Sequence, residues 1–312
     1  MRIVVTGGAG FIGSHLVDKL LARGHEVIVI DRFLRGNKLT KEAIRHIRLV
    51  EGDVRDGQLV REITREADLI FHLAAYLGVD IVADHPLETM ETEAIGMKNI
   101  ANAAVINGID RIVYASTSGV YGKAAIEMAV DEDFQVAPNS SYAIAKRYNE
   151  IYLQSLFKEK QIQCFSLRYF NVYGPRQDTR MVLPRFFKQA MEGTPLTVFG
   201  QGLQTRDFTY IDDVVEASIR VSEAGKGCEI VNIARGEDIP IAELAKTVIA
   251  VTGSTSQVHF LEPPPGRYDF EVQRRCGSSE KMTRMTGYAL ETPLHVGLKH
   301  TFEYIKEHWI HT

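Results

Sequence analysis

Short β-branched runs alternate with amphipathic stretches through the first half of the chain. RIVVT at 2 to 6, EVIVI at 26 to 30, IRLVEG at 47 to 52, DLIFHLA at 68 to 74, RIVYAS at 111 to 116 and CFSLRY at 164 to 169 are apolar along most of their length, which predicts strands. Between most of them, stretches near 11 to 23, 56 to 66, 87 to 107 and 141 to 159 carry apolar residues at helical spacing. Strands without a polar face, separated by helices, predict an α/β chain whose parallel sheet is covered on both sides. From about residue 170 the rhythm shortens, with turns at YGPRQD, EGTP, FGQG and EPPPG. A smaller lobe docked at the sheet's carboxyl edge is expected there.

Composition narrows the possible roles. The chain has 312 residues, 45% hydrophobic and 24% charged, the balance of an ordinary globular protein. A formal charge of −4 with no Lys/Arg cluster offers no surface for nucleic acid. No apolar run approaches the ~18 residues of a membrane span, and a strand pattern starts at Arg2 with no leader-like segment before it, so a cytoplasmic location is expected. Cys164, Cys228 and Cys276 are far apart in sequence and lack CxxC spacing, so they are expected to be inert thiols, with neither disulfide nor zinc.

Residues 6 to 15 read TGGAGFIGSH, between the first strand and the first helix. Gly7, Gly10 and Gly13 have the spacing GxxGxxG: the first permits the turn, the second lets backbone approach a pyrophosphate, and the third lets the helix pack close to the sheet. The helix N-terminus then offers N–H groups and a positive dipole end. Asp31 closes the second strand, where a carboxylate accepts from adenosine ribose hydroxyls and repels a 2′-phosphate, which favours NAD over NADP. Arg32 either weakens that preference or simply faces solvent. Asp53 of GDVRD falls at a strand end, placed either near the adenine or as cap of the next helix. Further on, SYAIAKRYNE places Tyr142 and Lys146 four apart at the start of a helix, hence on one face. An STS triplet, 116 to 118, ends the strand before it.

With these motifs in order, the sequence resembles the extended short-chain dehydrogenases/reductases, the NAD-dependent epimerase/dehydratase group that acts on nucleotide sugars. The likeness runs through TGGAGFIG, Asp31, GDVRD, FHLAA (71 to 75), STSGVYG, Tyr142/Lys146, RYFNVYGPRQ (168 to 177) and GQGLQTRDFTYIDDVVEA (200 to 217). It implies a Rossmann-type, doubly wound domain over 1 to 169 and a sugar-nucleotide lobe mainly over 170 to 312, the chain possibly returning to the large domain around 205 to 235. It also implies bound NAD, a UDP-sugar substrate and a homodimer paired through a four-helix bundle made from 87 to 107 and 141 to 159. The cofactor residues it implies are Gly7, Gly10, Phe11, Ile12, Gly13, Asp31, Asp53, Val54, Leu73, Ala74, Ala75, Ser116, Tyr142 and Lys146.

The resemblance makes Tyr142 the base that takes the sugar hydroxyl proton. A phenol with its ordinary pKa near 10 needs a cation beside it to serve at neutral pH, which Lys146 and the positively charged NAD⁺ supply. Thr117 is the residue that hydrogen-bonds the reacting oxygen, a task Ser116 or Ser118 could share; the triplet could equally cap the strand end. In the lobe, Asn171 and Arg206 are implied to hold the diphosphate, the arginine as a fork suited to it. Leu183, Phe187, Val198 and Phe199 are implied walls around the base, though each would serve equally as core, and Asp269 is implied to reach the ribose.

Departures from the family pattern select among its reactions. Dehydrating members keep an Asp-Glu pair where this chain has Ser118 and Gly119, and decarboxylating members place Glu at Gly119. What remains is the chemistry needing only Tyr, Lys, Thr and NAD: oxidation at sugar C4, turning of the 4-keto sugar, and hydride return, a 4-epimerase. UDP-glucose/UDP-galactose and UDP-glucuronate/UDP-galacturonate both fit, and Arg180 or Arg185 could meet a uronate carboxylate or remain solvated. A 4-keto reductase, a dehydratase or a decarboxylase of the same family, and a non-catalytic NAD-binding regulator are the alternatives. Glu93 stands where the family usually has an Asn that helps hold the active-site loop near the cofactor, while Asn99 is retained; a glutamate cannot donate when ionised, which puts loop geometry or cofactor tightness in question.

Overall fold

The computed structural model describes residues 1–76, 85–122, 129–262 and 272–309. Its main sheet has seven parallel strands: β1 (Arg2–Thr6), β2 (Glu26–Asp31), β3 (Arg48–Glu51), β4 (Leu69–His72), β5 (Arg111–Thr117), β6 (Gln163–Tyr169) and the later β11 (Cys228–Ile233). The order across the sheet is β3-β2-β1-β4-β5-β6-β11. Direction of travel reverses between β1 and β4, and the crevice at the carboxyl ends of those two strands is where doubly wound sheets bind ligands. Alternate residues of one strand serve opposite faces: Ile3 and Val5 join one core, Val4 the other.

Helices α1 (Phe11–Ala22), α2 (Lys41–His46), α3 (Gly57–Ile63), α4 (Pro86–Asn107) and α5 (Ser141–Lys160) connect these strands. The helices predicted near 11 to 23, 87 to 107 and 141 to 159 agree with α1, α4 and α5 to within a residue or two. The seventh strand, CEIVNI, extends the sheet beyond the last strand predicted, because its polar positions Glu229 and Asn232 interrupt the apolar run that marks a buried strand. Helix α7 (Ile211–Ala224) packs against α1, and β11 pairs in register with β6. Residues 211–233 therefore pack with the seven-stranded sheet and its helices.

The chain beyond β6 also contains α6 (Val182–Met191), α8 (Ile241–Thr252), α9 (Glu280–Thr286), α10 (Leu294–Trp309) and three two-stranded sheets among the described residues, one of which pairs β7 (Val172–Tyr173) with β10 (Thr209–Tyr210). A second pairs β8 (Leu196–Phe199) with β13 (Val258–Leu261), and the third pairs β9 (Thr205–Asp207) with β12 (Asp238–Pro240). No helix among the described residues is long and apolar enough to cross a membrane. Cys164 and Cys228, far apart in sequence, are brought side by side by β6 and β11 as hydrogen-bonded free thiols. Sequence separation carries no information about neighbours in a parallel sheet.

Candidate active site

The chain leaves β1 at Gly7, whose φ is +69° and where a Cβ would lie 2.7 Å from the Ala74 backbone nitrogen. Glycine alone meets both conditions. At Gly13 a Cβ would stand 2.3 Å from the Gly7 carbonyl oxygen, so α1 rests directly on the turn. Gly10 is the N-cap of α1; no side chain caps it and no acid occupies the first turn. The N–H groups at Phe11 and Ile12 and the positive helix end are thus left for an anion. Across the turn, Leu73 N donates to Thr6 O at 3.0 Å and Ala74 N to Thr6 Oγ1 at 3.1 Å, which sets Leu73, Ala74 and Ala75 beside the glycines.

Asp31 sits at the end of β2, its carboxylate accepting from Ala9 N at 3.0 Å and Phe33 N at 2.8 Å. Burial raises its pKa, against the pull of these bonds. Asp53 does not cap α3; Asp56 does, accepting from Gln58 and Leu59. Asp53 instead pairs with Arg55 at 2.7 Å and Arg32 at 3.2 Å, so Arg32 is an ion-pair partner. The loop carrying Asp53 and buried Val54 is tied down by Asn99, whose Nδ2 donates to Val54 O and Arg55 O, each at 2.9 Å.

Tyr142 and Lys146 occupy the first turns of α5, which Ser140 caps. They face the end of β5, where Thr117 shares a hydrogen bond with the Tyr142 hydroxyl and its Oγ1 accepts from Gly119 N at 3.1 Å. Lys146 Nζ donates to Ala115 O at 2.8 Å and lies 5.4 Å from the Tyr142 ring centre. It also lies 2.9 Å from Glu93 Oε1. Burial, then Glu93, raises the Tyr142 pKa, while the Thr117 bond lowers it. Lys146 is lowered by burial, with Glu93 acting against that. Glu93 is therefore an ion-pair partner of the lysine.

One member of the STS triplet turns its hydroxyl away from the Tyr142 hydroxyl. Ser116 Oγ donates to Glu150 at 2.6 Å inside the large domain, so the reading that its hydroxyl shares the task of Thr117 is corrected: a buried carboxylate is the better acceptor. Ser118 begins a buried 3-10 turn, Ser118–Tyr121.

In the lobe, Asn171 Nδ2 donates to Asp207 O at 3.0 Å. Arg206, on β9, donates to Thr205 O and Val272 O, each at 2.7 Å. Beside it stands Arg275, which was not singled out from sequence; burial and the Arg206 charge bring its pKa down to about 10. Two adjacent guanidiniums are relieved by a polyanion, and the doublet in QRRC was the only signal available. The Asp207 carboxylate, accepting from Arg235 N at 3.0 Å and Gly236 N at 2.9 Å, anchors β9 to the segment after β11.

Leu183, Phe187 and Val198, for which pocket wall and core were both open, are packed as core residues. They are 1%, 0% and 1% exposed within the core, and Phe187 stacks on Phe302; an apolar residue on the inward face of a lobe helix or strand is indistinguishable in sequence from a pocket wall. Phe199 is partly exposed, with the Arg185 guanidinium 5.4 Å from its ring centre. Arg180 pairs with Asp178 at 2.6 Å. Asp269 lies outside the described residues.

Residues 3–234, spanning the glycine turn, the Tyr142/Lys146 helix and the sheet edge, match the NAD dependent epimerase/dehydratase family. The chain belongs to this family. It is 35% identical over 98% of both chains to UDP-N-acetyl-alpha-D-glucosaminuronate decarboxylase of Bacillus cytotoxicus. In structure it is similar to UDP-glucose 4-epimerase of Thermotoga maritima with UDP-glucose, at a TM-score of 0.92, 32% identity and coverage of 98% and 99% of the two chains. The UDP-glucose 4-epimerase complex with NAD from Thermus thermophilus superposes at 0.90, with 31% identity over 99% and 100%. As a family member the protein is an NAD-dependent enzyme acting on nucleotide sugars. Its residues fit the cofactor: Gly7 and Gly13 close a cradle that a Cβ would fill, and Asp31 supplies the carboxylate.

Proposed function

We propose that this enzyme is a UDP-sugar 4-epimerase. The observation that carries the reading is the assembly of Thr117, Tyr142 and Lys146 at the end of β5 beside Ser118 and Gly119, where the dehydrating and decarboxylating members place added carboxylates. Glu93 does not substitute for these, since its oxygens are taken by Lys146 and by the Tyr114 hydroxyl at 2.8 Å.

In this reading Tyr142 takes the proton of the sugar 4-hydroxyl, held in line by Thr117, and gives it back to the ketone after the sugar has turned. Bound NAD supplies the hydride acceptor and donor for that cycle. Gly7, Gly10 and Gly13 would hold its pyrophosphate and Asp31 its adenosine ribose, while Asn171, Arg206 and Arg275 would bind the diphosphate of the UDP-sugar. Exposed Ile95 and Val105 on α4 and Ile144, Tyr148 and Ile151 on α5 support pairing of two copies through a four-helix bundle.

Identity to a decarboxylase favours one second reading, a UDP-uronate decarboxylase working without a glutamate at Gly119. Incubation with UDP-glucose, UDP-glucuronate and UDP-N-acetylglucosamine, with products resolved by NMR, separates the two. A 4-epimer supports the proposal, release of carbon dioxide supports the second reading, and recovery of all three sugars unchanged sinks both.

A further inference from the structure

Helix α4 sets a carboxylate directly against the catalytic lysine. Glu93 and Lys146 are 0% and 1% exposed, and their charged atoms are 2.9 Å apart. The other Glu93 oxygen accepts from Tyr114, and Asn149 Nδ2 bridges the Glu93 carbonyl at 3.1 Å and the Tyr114 hydroxyl at 2.9 Å. With Ala115 O taking a second Lys146 donor, the ammonium is fixed from two sides.

The charges facing this pair come from four elements. From α5, beyond Tyr142 and Lys146, comes Glu150, which is matched by Arg168 of β6 at 2.8 Å and by Arg147 at 2.9 Å. From β5 comes Tyr114, kept as a phenol by burial and by Glu93. From β4 comes His72, kept neutral because burial and Lys146 push its pKa down to about 3. Glu93 and Lys146 therefore sum to zero, and Tyr142 is the remaining acid. Loss of its proton leaves a net negative charge in a buried site, which is costly. Were residue 93 neutral, the same loss would leave the Lys146–Tyr142 pair at zero.

We propose that Glu93 is a positioning residue that holds Lys146 and cancels its charge, so that Tyr142 becomes a base only when a further positive charge, that of oxidised nicotinamide, is in the site. Tyr142 then remains a proton donor whenever the cofactor is reduced, the form required to protonate a ketone. The inference rests on Tyr142 and Lys146 being the reacting groups of the proposed 4-epimerase.

The test is an NMR titration of protein labelled at tyrosine Cζ, with the Tyr142 signal assigned by its loss in Tyr142→Phe. Wild type, Glu93→Gln and Glu93→Asn are compared with bound cofactor oxidised and then chemically reduced. In the wild type, the phenolate midpoint is expected to lie lower with oxidised than with reduced cofactor. With reduced cofactor, either variant should lower the midpoint by about one pH unit or more, a tenfold change in the ionisation constant. Coincident midpoints in wild type and variants overturn the proposal, as does a wild-type midpoint that ignores the oxidation state, which needs no variant to fold. Because the readout is ionisation and not turnover, failure of the epimerase assay leaves this result standing, and the reverse.

Discussion

Glu150 and Arg168 meet as a forked pair inside the large domain, with Nε–Oε1 at 2.9 Å and the second arm at 2.8 Å, neither residue more than 1% exposed. Ser116 donates to the same carboxylate, and Arg168 donates to the Tyr121 hydroxyl at 2.9 Å. The pair thus joins α5, β5, β6 and the turn after Thr117, so it fixes the frame on which Tyr142 and Thr117 meet. Glu150→Gln leaves the guanidinium buried without its counter-ion, an expected cost of about 3–5 kcal/mol. Urea unfolding measures it. The double variant Glu150→Leu with Arg168→Met should cost much less, because no buried charge is left uncompensated and Arg147, which loses its partner, is partly exposed to solvent.

Tyr142→Phe keeps the ring near Lys146 and removes only the hydroxyl that Thr117 bonds. Epimerisation should fall by about 10²–10⁴-fold, the usual contribution of a positioned proton-transfer group. Melting temperature and bound NAD should stay at wild-type values. Loss of NAD alongside activity would assign Tyr142 to the cofactor's seat instead of the reaction.

Gly13→Ala places a methyl group 2.3 Å from the Gly7 carbonyl oxygen, and both atoms are held by backbone that cannot rotate away. The turn must open, at a cost of about 1–3 kcal/mol for overpacking. Bound NAD, released by acid and quantified by absorbance, should be depleted. A fully loaded variant with unchanged melting temperature would contradict this account of the turn.

His72 is buried against Tyr114, 5.7 Å between ring centres, and its pKa is about 3 in the fold against an ordinary 6.5. As pH falls below 6.5 the unfolded chain takes up this proton first. The stability it contributes is therefore complete above that value and drains as pH approaches 3. Its slope is up to about 1.4 kcal/mol per pH unit. Asp207, raised to about 6 by burial, acts with the opposite sign and loses its contribution as pH rises through that value. The measurement that isolates His72 is thus a difference: between pH 6.5 and 4, unfolding free energy should fall more steeply in wild type than in His72→Gln.

The outward face of α4 and α5 carries Ile144 at 47% and Ile151 at 52% exposed. If two copies pair through this face, Ile144→Glu with Ile151→Glu buries charges at the contact and should convert a dimer to a monomer in light scattering, with the far-ultraviolet circular dichroism unchanged. A dimer that survives both substitutions places the interface elsewhere.

Local chemistry was legible without the structure. The strand, glycine turn and helix around Gly7, Gly10 and Gly13 obey short-range sterics, the Asp31 strand end follows from apolar run length, and the four-residue spacing of Tyr142 and Lys146 is one helical turn. None of these depends on a distant partner. The sequence by itself therefore determined the α/β class, the parallel core and the candidate reacting groups. Which groups touch is a different matter, because it depends on how α4 lies against α5 and how β11 registers on β6. Tertiary packing alone decided that Glu93 neutralises Lys146, that the Ser116 hydroxyl turns to Glu150, that Arg275 stands beside Arg206, and that Leu183, Phe187 and Val198 are core. The physical reason is that a side chain's charge state and its exposure are set by neighbours distant in the chain, and residue type records neither.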